Sequence, residues 1–243
     1  MTVSLANQIA AVTGAGSGIG RAMAQALAAG GARVCLVGRT REKLEATAAS
    51  INAGMPRPHV FPIDLTVDAQ IETLKLDLER AFGQVDVLVH SAGVISKGRL
   101  EDHAVEGLDL QYRANVRAPY LLTQSLLPLL RVRPGQIVVV NSSVALRAPA
   151  GVSQFSASQH SLKAIADSLR DEVNPYGVRV LNVFPGRTAT PRQAALYKLE
   201  GKEYQPHQLL QPEDIASMAM TALSLPRTAE VTEIHIRPLI KSY

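Results

Sequence analysis

The stretch Thr13-Gly14-Ala15-Gly16-Ser17-Gly18-Ile19-Gly20 limits the fold of this chain more than any other. It joins an apolar run, Gln8 to Thr13, that reads as a buried strand to a helical pattern from Ile19 to Ala29, which Gly30-Gly31 ends. Glycines at such a junction let the backbone turn tightly and let a pyrophosphate approach it closely. The helix start adds free N–H groups and the positive end of its dipole. A glycine-rich stretch alone is weak evidence. The strand before it and the helix after it supply the context that a phosphate-binding turn requires.

The same alternation runs along the chain. Val34 to Val37, His59 to Ile63, Val85 to Val89, Gln136 to Asn141, Val178 to Phe184 and Val231 to Arg237 read as further strands. Between them, helices are expected from the N-cap Thr40 through Ala53, over Asp68 to Phe82, and over a long span from Glu106 to Leu130 perturbed at Pro119. Two more are expected over Gln154 to Asn174 and Pro212 to Leu225. Short apolar strands separated by helices imply a parallel sheet covered on both faces. No linker, repeat or low-complexity tract interrupts residues 1–243, so one domain is expected. The one long irregular segment, Arg187 to Gln211, is read as a lid or binding loop.

Composition narrows the partners. The net charge is +4, but Lys and Arg are scattered among Asp and Glu, and the densest pair, Arg131 and Arg133, has no interleaved aromatics. Trp is absent and aromatics total 4%, which disfavours a base-stacking platform and hence a nucleic-acid partner. One cysteine, Cys35, excludes an internal disulfide and fits a reducing compartment. No apolar run nears the roughly 20 residues that span a bilayer, and Met1 to Asn7 shows no export signal, so a cytoplasmic location is expected. No His or Cys pair has metal-ligand spacing, and no metal site is expected.

The glycine spacing is Gly-x-x-x-Gly-x-Gly. Later motifs are Asp64-Leu65 after the third strand, Ser91-Ala92-Gly93 after the fourth and Asn115 in the long helix. Ser142-Ser143 follows the fifth strand and Pro185-Gly186-Arg187-Thr188-Ala189-Thr190 the sixth. In this order, from Leu5 to about Pro238, they resemble the short-chain dehydrogenase/reductase family, and the ending Glu233 to Pro238 resembles its small NADP-using members. The resemblance implies an α/β fold: a single Rossmann-type doubly wound parallel sheet with helices on both faces. It also implies hydride transfer between a nicotinamide cofactor and a small-molecule carbonyl or alcohol, and a homo-oligomer, a tetramer. The apolar strings Tyr120-Leu121-Leu122 and Leu126 to Leu130 suggest one helix with more apolar surface than a sheet face covers.

Charge after the second strand selects the cofactor. An acidic residue there would bond the ribose hydroxyls and repel a 2′-phosphate. This chain has Gly38-Arg39, with Arg41 close behind, and Arg offers a fixed fork to phosphate. NADP(H) is expected over NAD(H), although Ser17 stands where many NADP users of the family carry Lys or Arg. By resemblance the cofactor residues are Gly14, Ser17, Gly18, Ile19, Gly20, Arg39, Asp64, Leu65, Ser91, Ala92, Gly93, Pro185, Gly186, Thr188 and Thr190. Asp64 would bond the adenine amino group, the backbone of Ala92-Gly93 would pass the ribose, and Thr188 and Thr190 would hold the nicotinamide end.

By the same resemblance, Asn115 and Ser143 match the family's Asn and Ser, which support a water relay and polarise the substrate oxygen. The Tyr and Lys do not match. The family's Tyr-x-Ala-Ser-Lys is Phe155-Ser156-Ala157-Ser158-Gln159 here. Phe155 lacks an ionisable hydroxyl and Gln159 lacks a charge, so the acid and the group that tunes it are both gone. His160, Lys163, Tyr112, Tyr197, Tyr204, His207 and His90 are weighed as replacements. Two readings stand: a weak or atypical NADP(H)-dependent oxidoreductase, and a non-catalytic cofactor-binding member of the family acting as a sensor, regulator or silent subunit.

Overall fold

The computed structural model describes residues 5–51 and 54–240. Seven strands form one sheet: β1 (Ile9–Thr13), β2 (Arg33–Gly38), β3 (His59–Pro62), β4 (Val87–His90), β5 (Gln136–Val140), β6 (Arg179–Pro185) and β7 (Glu233–Ile236). Their spatial order is β3-β2-β1-β4-β5-β6-β7 and every pairing is parallel. The helices are α1 (Gly18–Ala29), α2 (Arg41–Ser50), α3 (Asp68–Phe82), α4 (Val105–Tyr112), α5 (Ala118–Val132), α6 (Ser153–Val173), α7 (Pro191–Leu199) and α8 (Pro212–Leu223).

The period of two along each strand divides the core. Ala10 and Val12 of β1 point to one face with Met23 and Leu27 of α1, Leu44 of α2 and Ile215 and Ala219 of α8. Ile9 and Ala11 point to the other, with Leu74 of α3, Leu122 and Leu126 of α5 and Leu162 of α6. Both faces are thus covered, which is why the strands read as unbroken apolar runs rather than alternating ones. The Rossmann-type sheet expected from the sequence is the one found. At its lower edge, buried Asp86 accepts from Ile9 N at 2.7 Å and from both Arg133 Nε and Nη2, at 3.0 and 2.9 Å.

Four local expectations change. The long helix is broken, but at a π-helical turn, Arg113–Arg117, rather than at Pro119. Pro119 falls in the first turn of α5, where a missing N–H costs little. The segment Arg187 to Gln211 is not irregular: it contains α7 and a 3₁₀ turn, Pro206–Gln208. Thr190 caps α7, its Oγ1 accepting from Gln193 N at 3.2 Å, and Pro191 follows in the first turn. The α5 strings are mostly covered, with Leu122, Leu126, Leu129 and Leu130 buried and Tyr120 half exposed. In α2, Thr40 makes no side-chain cap and the helix stops at Ser50; the expected extension to Ala53 reaches residues outside those described.

Candidate functional site

The strand order reverses its direction of growth between β1 and β4, and the crevice opens at the carboxyl ends of the strands there, as such sheets dictate. It holds a cleft of about 740 Å³. Gly14, Gly16, Ser17, Gly18 and Ile19 form one wall. Gly14 has φ +66°, and a Cβ on it would lie 2.9 Å from the Ser91 carbonyl. Thr13 Oγ1 fixes that approach by accepting from Ser91 N and Ala92 N at 3.0 and 3.1 Å. Ser17 does not cap α1 with its side chain, so the first-turn amides have no side-chain cap among the described residues. Gly20 does not line the cleft. It packs beneath the turn, where a Cβ would stand 2.3 Å from Gly14 O. Arg21, which sequence reasoning passed over, braces the turn from outside by donating to Gly16 O at 2.8 Å.

One end of the cleft is lined by Arg39, Lys43, Asp64 and Leu65. Neither the Arg39 nor the Lys43 side chain hydrogen-bonds a described residue, so both cations are uncommitted. Arg41 is turned away and pairs with Glu45 at 3.4 Å. Lys43, one helical turn beyond Thr40, takes the place that the sequence gave to Arg41. Partial burial raises the Asp64 carboxyl, but hydrogen bonds from Thr66 N and Oγ1, together with the Arg39 charge, hold it below the ordinary range.

The opposite wall holds Ser143 and Phe155, with Ser91, Ala92, Gly93, Pro185, Gly186, Thr188 and Thr190 between the ends. Ser143 opens a 3₁₀ turn and its hydroxyl has no partner among the described residues, while its neighbour Ser142 serves the backbone by accepting from Val144 N. Asn115 sits in the π turn, buried, and does not line the cleft. Its Oδ1 accepts from Val94 N at 2.8 Å, and its Nδ2 donates to Val94 O and to Ser158 Oγ. Gln159 is buried, one turn along α6 from Phe155, and its side-chain amide makes no hydrogen bond to a described residue.

None of the replacement proton donors lines the cleft. Lys163 is held by Asp167 and Glu233 at 2.6 and 2.7 Å. His160 is exposed and its ring bonds Ser156 O. Tyr112 is half exposed on α4. Tyr197 is buried, packed edge-on against Tyr204, and His207 is exposed on its 3₁₀ turn. His90 is fully buried against Thr123 Oγ1 at 2.8 Å, and desolvation pushes its pKa down to about 4.

The sequence reading also missed a charged group at the outer end. Glu200, after α7, pairs with Lys97 Nζ, with Lys202 Nζ at 3.2 Å and with Arg187 Nη2 at 3.5 Å. Partial burial raises its carboxyl, and the bonds from Lys97 and Lys202 more than reverse that. Arg192, on the first turn of α7, crosses the cleft to donate to Gly93 O at 2.6 Å. Only the fold brings residue 200 to residue 97, so no local pattern announces the group. Among the described residues no cluster of His, Cys, Asp and Glu could hold a metal, and no helix is long and apolar enough to cross a membrane.

A family model described as short chain dehydrogenase matches residues 8–200. An uncharacterized oxidoreductase of Staphylococcus aureus strain USA300 is 31% identical over 240 residues, covering 98% of this chain and 100% of that one. The solved structure of a metagenomic short-chain oxidoreductase in complex with NADP is similar with a TM-score of 0.84 and 30% identity, covering 98% and 100% of the two chains. An alcohol dehydrogenase from the archaeon Thermococcus sibiricus, complexed with 5-hydroxy-NADP, has a TM-score of 0.87 and 26% identity, covering 97% and 98%.

Proposed function

The chain belongs to the short-chain dehydrogenase family, and we propose that it binds NADP(H) and acts as a weak or atypical carbonyl or alcohol oxidoreductase. Structural relatives complexed with NADP support the cofactor. So does the chemistry of the cleft. The uncapped start of α1 suits a pyrophosphate, and the uncommitted Arg39 and Lys43 suit a 2′-phosphate. Asp64 keeps a carboxylate for the adenine amino group. Thr188 and Thr190, which line the cleft, are the residues that we assign to the nicotinamide. A bound nicotinamide would supply or accept hydride there.

The observation that decides the strength of the chemistry is the lining of the cleft. It includes Ser143 and Phe155 but no Tyr, His or Cys. Ser143 is left to polarise a substrate oxygen without a proton donor beside it. Asn115 spends both ends of its amide on Val94 and Ser158, which fixes the loop after β4. The same lining favours the second reading, a cofactor-binding family member without turnover. The test is NADPH affinity by calorimetry beside NADPH oxidation with aldehydes, ketones and 2-oxo acids. Binding with slow oxidation supports the first reading, binding with none supports the second, and no binding overturns both. We further propose that the segment 187–211, with α7 in it, is the lid over this cleft. A tetrameric, cytoplasmic protein is the assembly and location that we expect.

A further inference from the structure

The cleft has an excess of positive charge at the end where no cofactor phosphate is expected. Thr190, at the start of α7, packs on Gly18, and the nine residues of α7, about 13 Å long, lead from there to Glu200. There, Lys97 and Arg187 line the cleft with Glu200 as their one carboxylate, which it also shares with Lys202. Arg187 is held but not neutralised. Its contact with Glu200 is 3.5 Å long, at the limit of a hydrogen bond, and its Nη1 is shut from water without an acceptor. Its guanidinium lies over the Tyr197 ring, 5.1 Å from the centroid, which keeps it in place without supplying a full anion. The same cleft also has apolar lining, with Ile95, Leu110, Val144 and Leu196 among its residues.

We propose that this outer end is a carboxylate site set by Lys97 and Arg187, and that the ligand is a carbonyl compound bearing a carboxylate on an apolar body. Glu200 shows that a carboxylate fits against these cations, since its own side chain is seated there. The incoming carboxylate meets the Arg187 guanidinium at Nη2, which Glu200 engages only weakly, with Lys97 between the two acids. The inference rests on reading the remainder of the cleft as the cofactor site, and it adds the substrate class to that reading.

The test is calorimetry with two probes of similar shape, benzoylformate and the uncharged 1-phenylpropane-1,2-dione, on protein saturated with NADP⁺. Benzoylformate should bind about tenfold or more tightly than the diketone. The double variant K97Q/R187Q should lose that difference while its NADP⁺ affinity stays within about twofold. Glu200→Gln should move benzoylformate the other way, about threefold tighter, because the competing carboxylate is gone. That opposite sign separates a binding role from damage to the lid. Equal affinity for the two probes, or weaker benzoylformate binding in Glu200→Gln, overturns the proposal. If NADP⁺ does not bind at all, the cofactor reading fails. The same titrations are then read on the unloaded protein: a preference for benzoylformate lost in K97Q/R187Q still supports the site, and none overturns it.

Discussion

Phe155→Tyr together with Gln159→Lys should convert this protein into an efficient carbonyl reductase. Phe155 is half-buried and lines the cleft, so a hydroxyl on its ring is expected to be accommodated there rather than forced into packed core. Positions 155 and 159 are four apart on α6 and share a face. Gln159 has no side-chain hydrogen bond to lose, so a Lys there forfeits little, although burying its amine costs some stability. A positioned general acid contributes about 10²–10⁴-fold, or roughly 3–5 kcal/mol of barrier. Phe155→Tyr alone leaves the phenol near its ordinary pKa of about 10 and should recover only the lower part of that range. The added ammonium stabilises tyrosinate, so the double variant should exceed the product of the two singles. The assay is loss of NADPH absorbance with benzoylformate and with 1-phenylpropane-1,2-dione, run on all four proteins with NADPH affinity measured in parallel. Strong turnover by the unmodified protein would refute the reasoning, because a different group would then be supplying the proton. An inactive double variant that still binds NADPH would refute it too, by showing that the substrate end is lost as well as the acid.

Four further outcomes are expected. Arg39→Asp should erase or invert a preference for NADPH over NADH of about ten- to a hundredfold, read by calorimetry at fixed salt; equal affinities in the unmodified protein remove the premise. Gly20→Ala should destabilise the fold by about 1–3 kcal/mol in urea unfolding, since its Cβ would overlap Gly14 O at 2.3 Å; an unchanged midpoint contradicts the packing described. Unfolded His90 takes up a proton near pH 6.5 and folded His90 only near 4, so the unfolded chain binds the extra proton between these values, and stability falls as pH drops through that window. His90→Asn should flatten that fall by up to roughly 3 kcal/mol; parallel pH profiles for the two proteins count against it. Light scattering at micromolar concentration should give a mass near four chains, with the exposed Leu108, Tyr112 and Tyr120 covered in the assembly; a mass of 26.0 kDa ends that expectation.

The parts of this molecule set by contiguous residues were legible in advance. The glycine turn, each strand run and the helix over Asp68 to Phe82 are local patterns, and they lie where the pattern put them. What escaped depends on contacts distant in sequence. The π turn at Asn115 has no Pro or Gly to announce it; the bonds of Asn115 to Val94 and Ser158 hold it from outside the helix. Helix α7 has no apolar stripe, so its period was invisible, although Thr190-Pro191 signalled its start. Lys43 lines the cleft and Arg41 does not because a helix sets these two residues most of half a turn apart, so nearness to Arg39 in sequence is not nearness in space.

The frame around positions 155 and 159 does not depend on which side chains stand there. That frame is made by the backbone and by neighbours. Asn141 Nδ2 donates to Gln159 O at 3.2 Å and ties the end of β5 to α6. Ser158 Oγ donates to Phe155 O at 2.7 Å and accepts from Asn115 Nδ2 at 3.0 Å, linking α6 to the π turn. None of these bonds uses the side chain at 155 or 159. Exchanging a Tyr for a Phe and a Lys for a Gln therefore removes a proton and a charge while the walls keep their places. Affinity for a cofactor depends on those walls, whereas rate depends on groups that act in the transition state. The two can part company at these positions, and restoring the two side chains tests chemistry on a scaffold already assembled to receive them.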